Sequence, residues 1–142
     1  MGGIVVRHLR DPRLQWSRIV MLAPPNQGSR IAAGLVRNPL FQWFYGPAGA
    51  ELADATAWPA PPAPFGVIAG TRSLALTNPT SWTMGRRFPV GVQNDGRVAV
   101  EETKLAGMTA FAEVDATHTW IMNAQEARRL TLAYLQNGRF GS

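Results

Sequence analysis

Short apolar runs separated by turn residues dominate the hydropathy pattern of this 142-residue chain. Residues 19–23 and 65–70 are continuous apolar runs, and both stop at Pro or Gly. Runs of this length favour strands that are buried on both faces of a parallel sheet. Residues 111–115 alternate apolar and polar positions, which is typical of a half-exposed edge strand. The pattern therefore predicts three strands.

Two amphipathic helices are predicted near the ends of the chain. Residues 3–10 mix apolar and arginine positions at helical spacing, and this helix ends before Pro12. The second helix ends at Asn137-Gly138 and covers residues 124–136, with one apolar face formed by Ala127, Leu130, Ala133 and Tyr134. Residues 38–64 are irregular and rich in Pro, Ala and aromatics, with a short helix predicted at 49–53.

The order of these elements predicts an α/β fold. Helix, strand, helical excursion, strand, long loop, strand and helix follow one another along the chain. Alternation of this kind favours a parallel sheet covered by helices. Three strands are few for such a fold, and no internal repeat is visible. The chain has the length of one domain.

Composition excludes several classes of site. The chain has no cysteine, so it has neither disulfides nor thiolate metal ligands, and two histidines argue against a zinc site. We therefore expect no metal and no cofactor. No apolar run approaches the length of a transmembrane segment, and residues 1–9 do not resemble a signal peptide. The sequence makes no prediction of localisation.

The net charge of +5 is concentrated in the first forty residues. They hold six arginines and one aspartate, whereas residues 41–142 hold eight basic and eight acidic residues. The arginines stand singly among apolar residues, with few aromatics placed to stack on bases. We therefore interpret them as a solvated helix face, and we expect no nucleic-acid partner.

The first residues look like part of a catalytic motif. Met1-Gly2-Gly3 followed by a helical pattern matches the second half of the nucleophile elbow G-x-S-x-G. On this hypothesis the serine would lie one place before Met1, and the chain does not contain it. Ser29 is a poor substitute, because the elbow needs a glycine two residues away on each side and Gln27 and Ile31 stand there. We expect Ser29 to cap a helix.

Four short stretches share their order and spacing with a known family. They are MGGIVVR, APPNQGS, NDGRVAVE and THT, at residues 1–7, 23–29, 94–101 and 117–119. With them the sequence resembles bacterial α/β-hydrolases of the lipase/esterase type. The resemblance implies a triad in the order serine, acid, histidine. It also implies that residues 1–142 form one partial domain, the C-terminal half of an α/β-hydrolase fold. That half would have about three mostly parallel strands flanked by helices, with residues 30–64 as a lid-like excursion.

Asp95 and His118 are the acid and base that the resemblance implies. Serine acyl transfer needs an imidazole to take the hydroxyl proton and a carboxylate to orient that imidazole. Both residues follow predicted strands, and adjacent loops at the carboxyl ends of parallel strands meet in space. Judged alone, Asp95 would be a turn residue in Asn-Asp-Gly, and His118 a surface or capping histidine.

Other acidic residues and the second histidine are weaker candidates for the same roles. Glu101 and Glu102 are the nearest rival acids, whereas Asp115 lies in a strand only three residues before His118. His8 lies on the polar side of a helix, and we do not expect it to be catalytic. The aromatic residues of the excursion are expected to form lid or core packing that could line an acyl-chain pocket: Phe41, Trp43, Phe44, Tyr45 and Trp58.

The resemblance also implies what the chain lacks. The Met1 nitrogen would be an oxyanion donor, yet as a chain terminus it is a titratable amine and not a fixed peptide N–H. We therefore expect the chain to belong to a serine hydrolase that acts on ester or lipid-like substrates, and to be inactive alone. The alternative is a non-catalytic half-fold that binds or dimerises. The strand at 19–23 would leave an open edge, which invites self-association.

Overall fold

Helices cover both faces of a three-stranded parallel sheet in the computed structural model of the chain. The structure describes residues 2–9, 11–28, 58–73, 88 and 91–141. Its elements in chain order are α1 (Gly2–His8), β1 (Ile19–Leu22), β2 (Phe65–Gly70), α2 (Val100–Thr103), β3 (Ala110–Val114), a 3-10 turn (Ile121–Asn123) and α3 (Gln125–Asn137). The three predicted strands and the two predicted helices are confirmed. The helix predicted at 49–53 lies outside the described residues.

The sheet has the order β1-β2-β3, and both pairings are parallel. β2 is central and buried along its whole length, as its continuous apolar sequence predicts. β1 alternates buried and half-buried residues, so burial on both faces is less complete there than predicted. β3 is mostly half-buried and forms an edge of the described sheet. The carboxyl ends of all three strands therefore lie together at one end of the sheet, called here the carboxyl-terminal edge. Ligands bind at this edge in folds of this kind.

Two apolar clusters pack on the opposite faces of the sheet. One contains Ile68 of β2 together with Leu130 and Tyr134 of α3. The other contains Met21 and Val67, with Val6 of α1 packed against it. Because successive strand side chains point to opposite faces, α1 and α3 lie on different sides of the sheet. Within the described ranges, no helix is long and apolar enough to cross a membrane.

The C-terminal end of α3 is fastened to the start of β1. Arg18 Nη1 donates to the carbonyl oxygens of Leu135 at 2.7 Å and Gln136 at 3.0 Å. A guanidinium at this position satisfies carbonyls that have no partner inside the helix and favours the negative end of its dipole. Tyr134 is fixed at this same end of the sheet, where its hydroxyl and that of Thr109, the residue before β3, are hydrogen-bonded.

The predicted solvated arginine face is wrong for Arg7. This residue is buried, with 3% of its surface exposed, although it lies on a short surface helix. Its guanidinium donates to backbone oxygens of Trp58 and Pro59, which come from a segment about fifty residues away. The error has a physical reason, because helical periodicity locates a polar face but not the carbonyls that another segment brings to it.

Candidate active site

Two loops meet beyond the carboxyl end of β2. One contains Asp95, and the other leaves β3 and contains His118. Gly70, the last residue of β2, lies between them: a Cβ atom built there would be 2.6 Å from the carbonyl oxygen of Ala116 and 2.8 Å from Asp95 Cβ. The structure therefore brings the predicted acid and base to the same edge of the sheet.

Asp95 and His118 are in direct contact. His118 Nδ1 lies 2.7 Å from Asp95 Oδ2, and the His118 backbone N–H donates to the Asp95 carbonyl oxygen at 2.9 Å. The Asp95 side chain is 1% exposed, whereas that of His118 is 30% exposed. An ionised carboxylate only accepts hydrogen bonds, so the contact assigns the proton of the neutral ring to Nδ1. The second ring nitrogen, Nε2, is then left as a proton acceptor.

The two carboxylate oxygens of Asp95 have different hydrogen-bond partners. Oδ1 accepts the backbone N–H groups of Arg97 at 2.9 Å and Val98 at 2.8 Å, while Oδ2 faces His118. The Oδ1 contacts are those of a turn-forming aspartate. The interpretations of Asp95 as a turn residue and as the partner of His118 are therefore compatible. A carboxylate held in this way is oriented before any substrate binds.

The helix α2 holds the acid-bearing loop in place. Asn94 and Ala99 form an antiparallel bridge, and the Val100 N–H donates to the Gln93 carbonyl oxygen at 2.9 Å. Glu102, a rival acid in the sequence, is buried and accepts the Ala99 N–H at 3.0 Å through Oε2. The carboxylate of Glu102 thus supports the loop that carries Asp95.

The remaining rivals make contacts elsewhere. Glu101 is exposed and forms an ion pair with Lys104 at 2.6 Å. Asp115 is exposed and forms a bidentate pair with Arg72, whose hydrogen bond lowers the pKa of the Asp115 carboxyl. His8 is exposed, and its Nδ1 lies 3.0 Å from the Ile4 carbonyl oxygen of its own helix.

Some predicted residues lie outside the described part of the chain. They are Met1, Ser29, Phe41, Trp43, Phe44 and Tyr45. Trp58 is described and half-buried, and its ring centroid is 5.4 Å from the Arg7 guanidinium carbon. Among the described residues, no three His, Asp or Glu side chains are grouped as metal ligands.

Two residues that shape this region are not marked by the sequence pattern. Gly70 looks like an ordinary strand boundary in the sequence, whereas in the structure a side chain there would collide with both loops. Asn26 is 4% exposed, and its side chain bonds both Arg7 and the Thr103 carbonyl oxygen. The one available signal was the position of Asn26, directly after an apolar strand and two prolines.

Comparison with known proteins shows the fold. Neither a protein-family model nor a curated protein sequence matches the chain. Its structure is similar to the crystal structure of a lipase from Bacillus licheniformis in mature form, with a TM-score of 0.56 and 15% sequence identity. The match covers 84% of this chain and 54% of the lipase, so the chain spans about half the length of that protein. The predicted fold class, part of an α/β-hydrolase fold, is confirmed.

Replacing Asp95 by Asn tests the contact with His118. The amide oxygen can keep the Oδ1 bonds of the turn, but its NH₂ group cannot accept the Nδ1 proton. We expect a folded chain, less stable by about 1–3 kcal/mol, because the hydrogen bond between Nδ1 and a charged carboxylate is lost. In proton NMR the far-downfield Nδ1 resonance of His118 should disappear, and His8→Gln assigns the two histidines. Asp115→Asn is the control, and a signal that survives Asp95→Asn would refute the contact.

Replacing Gly70 by Ala tests the close approach of the two loops. The added methyl group must push Ala116 or Asp95 away, at a cost of about 1–3 kcal/mol. We expect the same His118 resonance to weaken or vanish, with a lower urea midpoint. Gly141→Ala is the matched control, because a Cβ there meets nothing within 4 Å. An unchanged resonance in Gly70→Ala would show that the loops tolerate separation.

Proposed function

We propose that the chain carries the acid and base of a serine-hydrolase site that cleaves carboxylic esters or lipid-like substrates. The observation that carries the proposal is the 2.7 Å contact between His118 Nδ1 and the buried Asp95 carboxylate. His118 would take the proton of a serine hydroxyl at Nε2 as the oxygen attacks the ester carbonyl. It would then return that proton to the leaving alkoxide. Asp95 would hold the ring and stabilise its charged form.

The position of α1 supports this proposal. A Cβ built at Gly3, in the first turn of α1, would be 3.6 Å from Met21 Sδ and 3.6 Å from Pro24 Cβ. The start of α1 therefore lies beside the carboxyl end of β1, at the sheet edge where Asp95 and His118 meet. A serine directly before Met1 would approach that edge, and the Met1 nitrogen would be the oxyanion donor. We propose that the chain lacks this serine and is inactive alone.

Labelling with a fluorophosphonate tests the proposal. We expect the purified chain to stay unlabelled and to hydrolyse p-nitrophenyl butyrate no faster than its His118→Ala variant. The nucleotide sequence upstream of Met1 should encode an apolar strand and Gly-x-Ser in frame. The extended protein should then be labelled at that serine, and His118→Ala should lower its kcat/KM by about 10⁶-fold.

The second histidine is the matched control for this experiment. His8→Ala should leave labelling and turnover of the extended protein unchanged, because His8 contacts only its own helix in the described structure. Two results would contradict the proposal. One is a stop codon directly upstream of Met1, and the other is turnover by the purified chain that His118→Ala abolishes.

We propose as a second candidate a non-catalytic half-fold that self-associates through β1. Among the described strands β1 pairs with β2 alone. The N–H groups of Ile19 and Ala23 point to the β2 side, where they bond Pro64 and Ile68. Because successive N–H groups of a strand alternate in direction, those of Val20 and Leu22 point away from β2. An unpaired strand edge can accept another strand.

Sedimentation velocity tests this second candidate. We expect association that grows with concentration across the micromolar range. Val20→Pro should abolish it, because proline removes an outward N–H and leaves the β1–β2 hydrogen bonds intact. Val20→Thr keeps the N–H and a similar shape, so it should associate like the parent chain. A monomer at every concentration would exclude self-association.

A further inference from the structure

Arg7 is a buried cation that joins three segments. Its Nε donates to the Pro59 carbonyl oxygen at 2.6 Å, and its Nη2 donates to that of Trp58 at 2.9 Å. Nη1 lies 3.4 Å from Asn26 Oδ1 and 3.5 Å from the Asn26 carbonyl oxygen. Burial lowers the pKa of Arg7, yet a guanidinium stays protonated in proteins. These acceptors are all uncharged oxygens.

Asn26 continues the connection on its other side. Its Nδ2 donates to the Thr103 carbonyl oxygen at 2.9 Å, in the last residue of α2. The next residue reinforces this contact, because the Gln27 N–H donates to the Glu102 carbonyl oxygen at 3.0 Å. The first residues of α2 are in turn bonded to the loop that carries Asp95. A continuous set of hydrogen bonds thus runs from α1 to the acid-bearing loop.

We infer that Arg7 and Asn26 are positioning residues that set the register of α1 against the Asp95–His118 pair. This inference rests on the proposed function for its importance, since the nucleophile would enter at the start of α1. The hydrogen bonds from Arg7 to Asn26 and from Asn26 to Thr103, called here the Arg7–Asn26 bridge, do not depend on catalysis. The bridge would act by holding the start of α1 at a constant distance from the His118 ring.

Weak apolar anchoring of α1 is the reason that the bridge matters. A helix of seven residues is too short to be stable by itself. Val6 packs against the cluster on its side of the sheet, but Val5 is 61% exposed and Leu9 is also exposed. Side-chain hydrogen bonds from a charged group are therefore a major constraint on where α1 lies.

Distance measurement by pulsed electron paramagnetic resonance tests the inference. The chain has no cysteine, so Val5→Cys and Met122→Cys place two spin labels at exposed positions, one on α1 and one beyond His118. We expect a narrow distance distribution in this parent. Arg7→Met should widen it about twofold, because α1 loses its charged tie. Asn26→Leu should widen it as well, since it removes the link to Thr103.

Two further variants make the result decisive. Arg7→Lys keeps the charge and the long stem but lacks the planar fork that bonds Asn26 and residues 58–59 together, so it should fold and still widen the distribution. Arg13→Met is the matched control, because Arg13 is exposed and pairs only with nearby Asp11 in the described contacts. If Arg7→Met fails to fold, Arg7→Lys decides the question.

The His118 resonance separates this inference from disruption of the pair itself. We expect the Nδ1 proton signal to persist in Arg7→Lys, because the Asp95 and His118 loops keep their own hydrogen bonds. A distribution as narrow as that of the parent would overturn the inference, as would loss of the His118 signal. The measurement needs no hydrolase activity, so its outcome is independent of fluorophosphonate labelling.

Discussion

The buried carboxylate of Asp95 is the group on which the candidate site depends. One oxygen closes the turn at residues 95–98, and the other receives the His118 ring. An ionised carboxylate with such low exposure needs several donors to offset its desolvation. Backbone N–H groups and the imidazole supply them together. The turn and the contact with His118 therefore stabilise each other, and the imidazole is oriented without a bound ligand.

Close packing at the end of β2 makes that contact possible. Gly70 has no side chain, so the Asp95 loop and the segment after β3 approach each other across it. Parallel pairing places the ends of β1 and β2 at the same edge, and the first turn of α1 lies over β1 there. The site is thus built by three chain segments that meet at one sheet edge, and the Arg7–Asn26 bridge connects α1 to the remainder.

The chemistry of the candidate site follows from its asymmetry. Asp95 is almost completely buried, whereas His118 remains partly exposed and keeps one ring nitrogen available. A base that a carboxylate holds at one ring nitrogen, with the other ring nitrogen available, suits proton transfer to and from a substrate or nucleophile. The second proposal, self-association, depends on a different surface, the side of β1 that faces away from β2.

Hydropathy alone determined the strands, the terminal helices and their α/β order, because burial on a sheet imposes local periods on the sequence. The pairing of Asp95 with His118 followed from their order and from the resemblance to a family, since neither residue is distinctive alone. Only the tertiary structure decided that Arg7 is buried, that Gly70 admits no side chain and that Glu102 supports a loop. Each of these depends on atoms from distant segments, and local sequence patterns do not encode where those atoms lie.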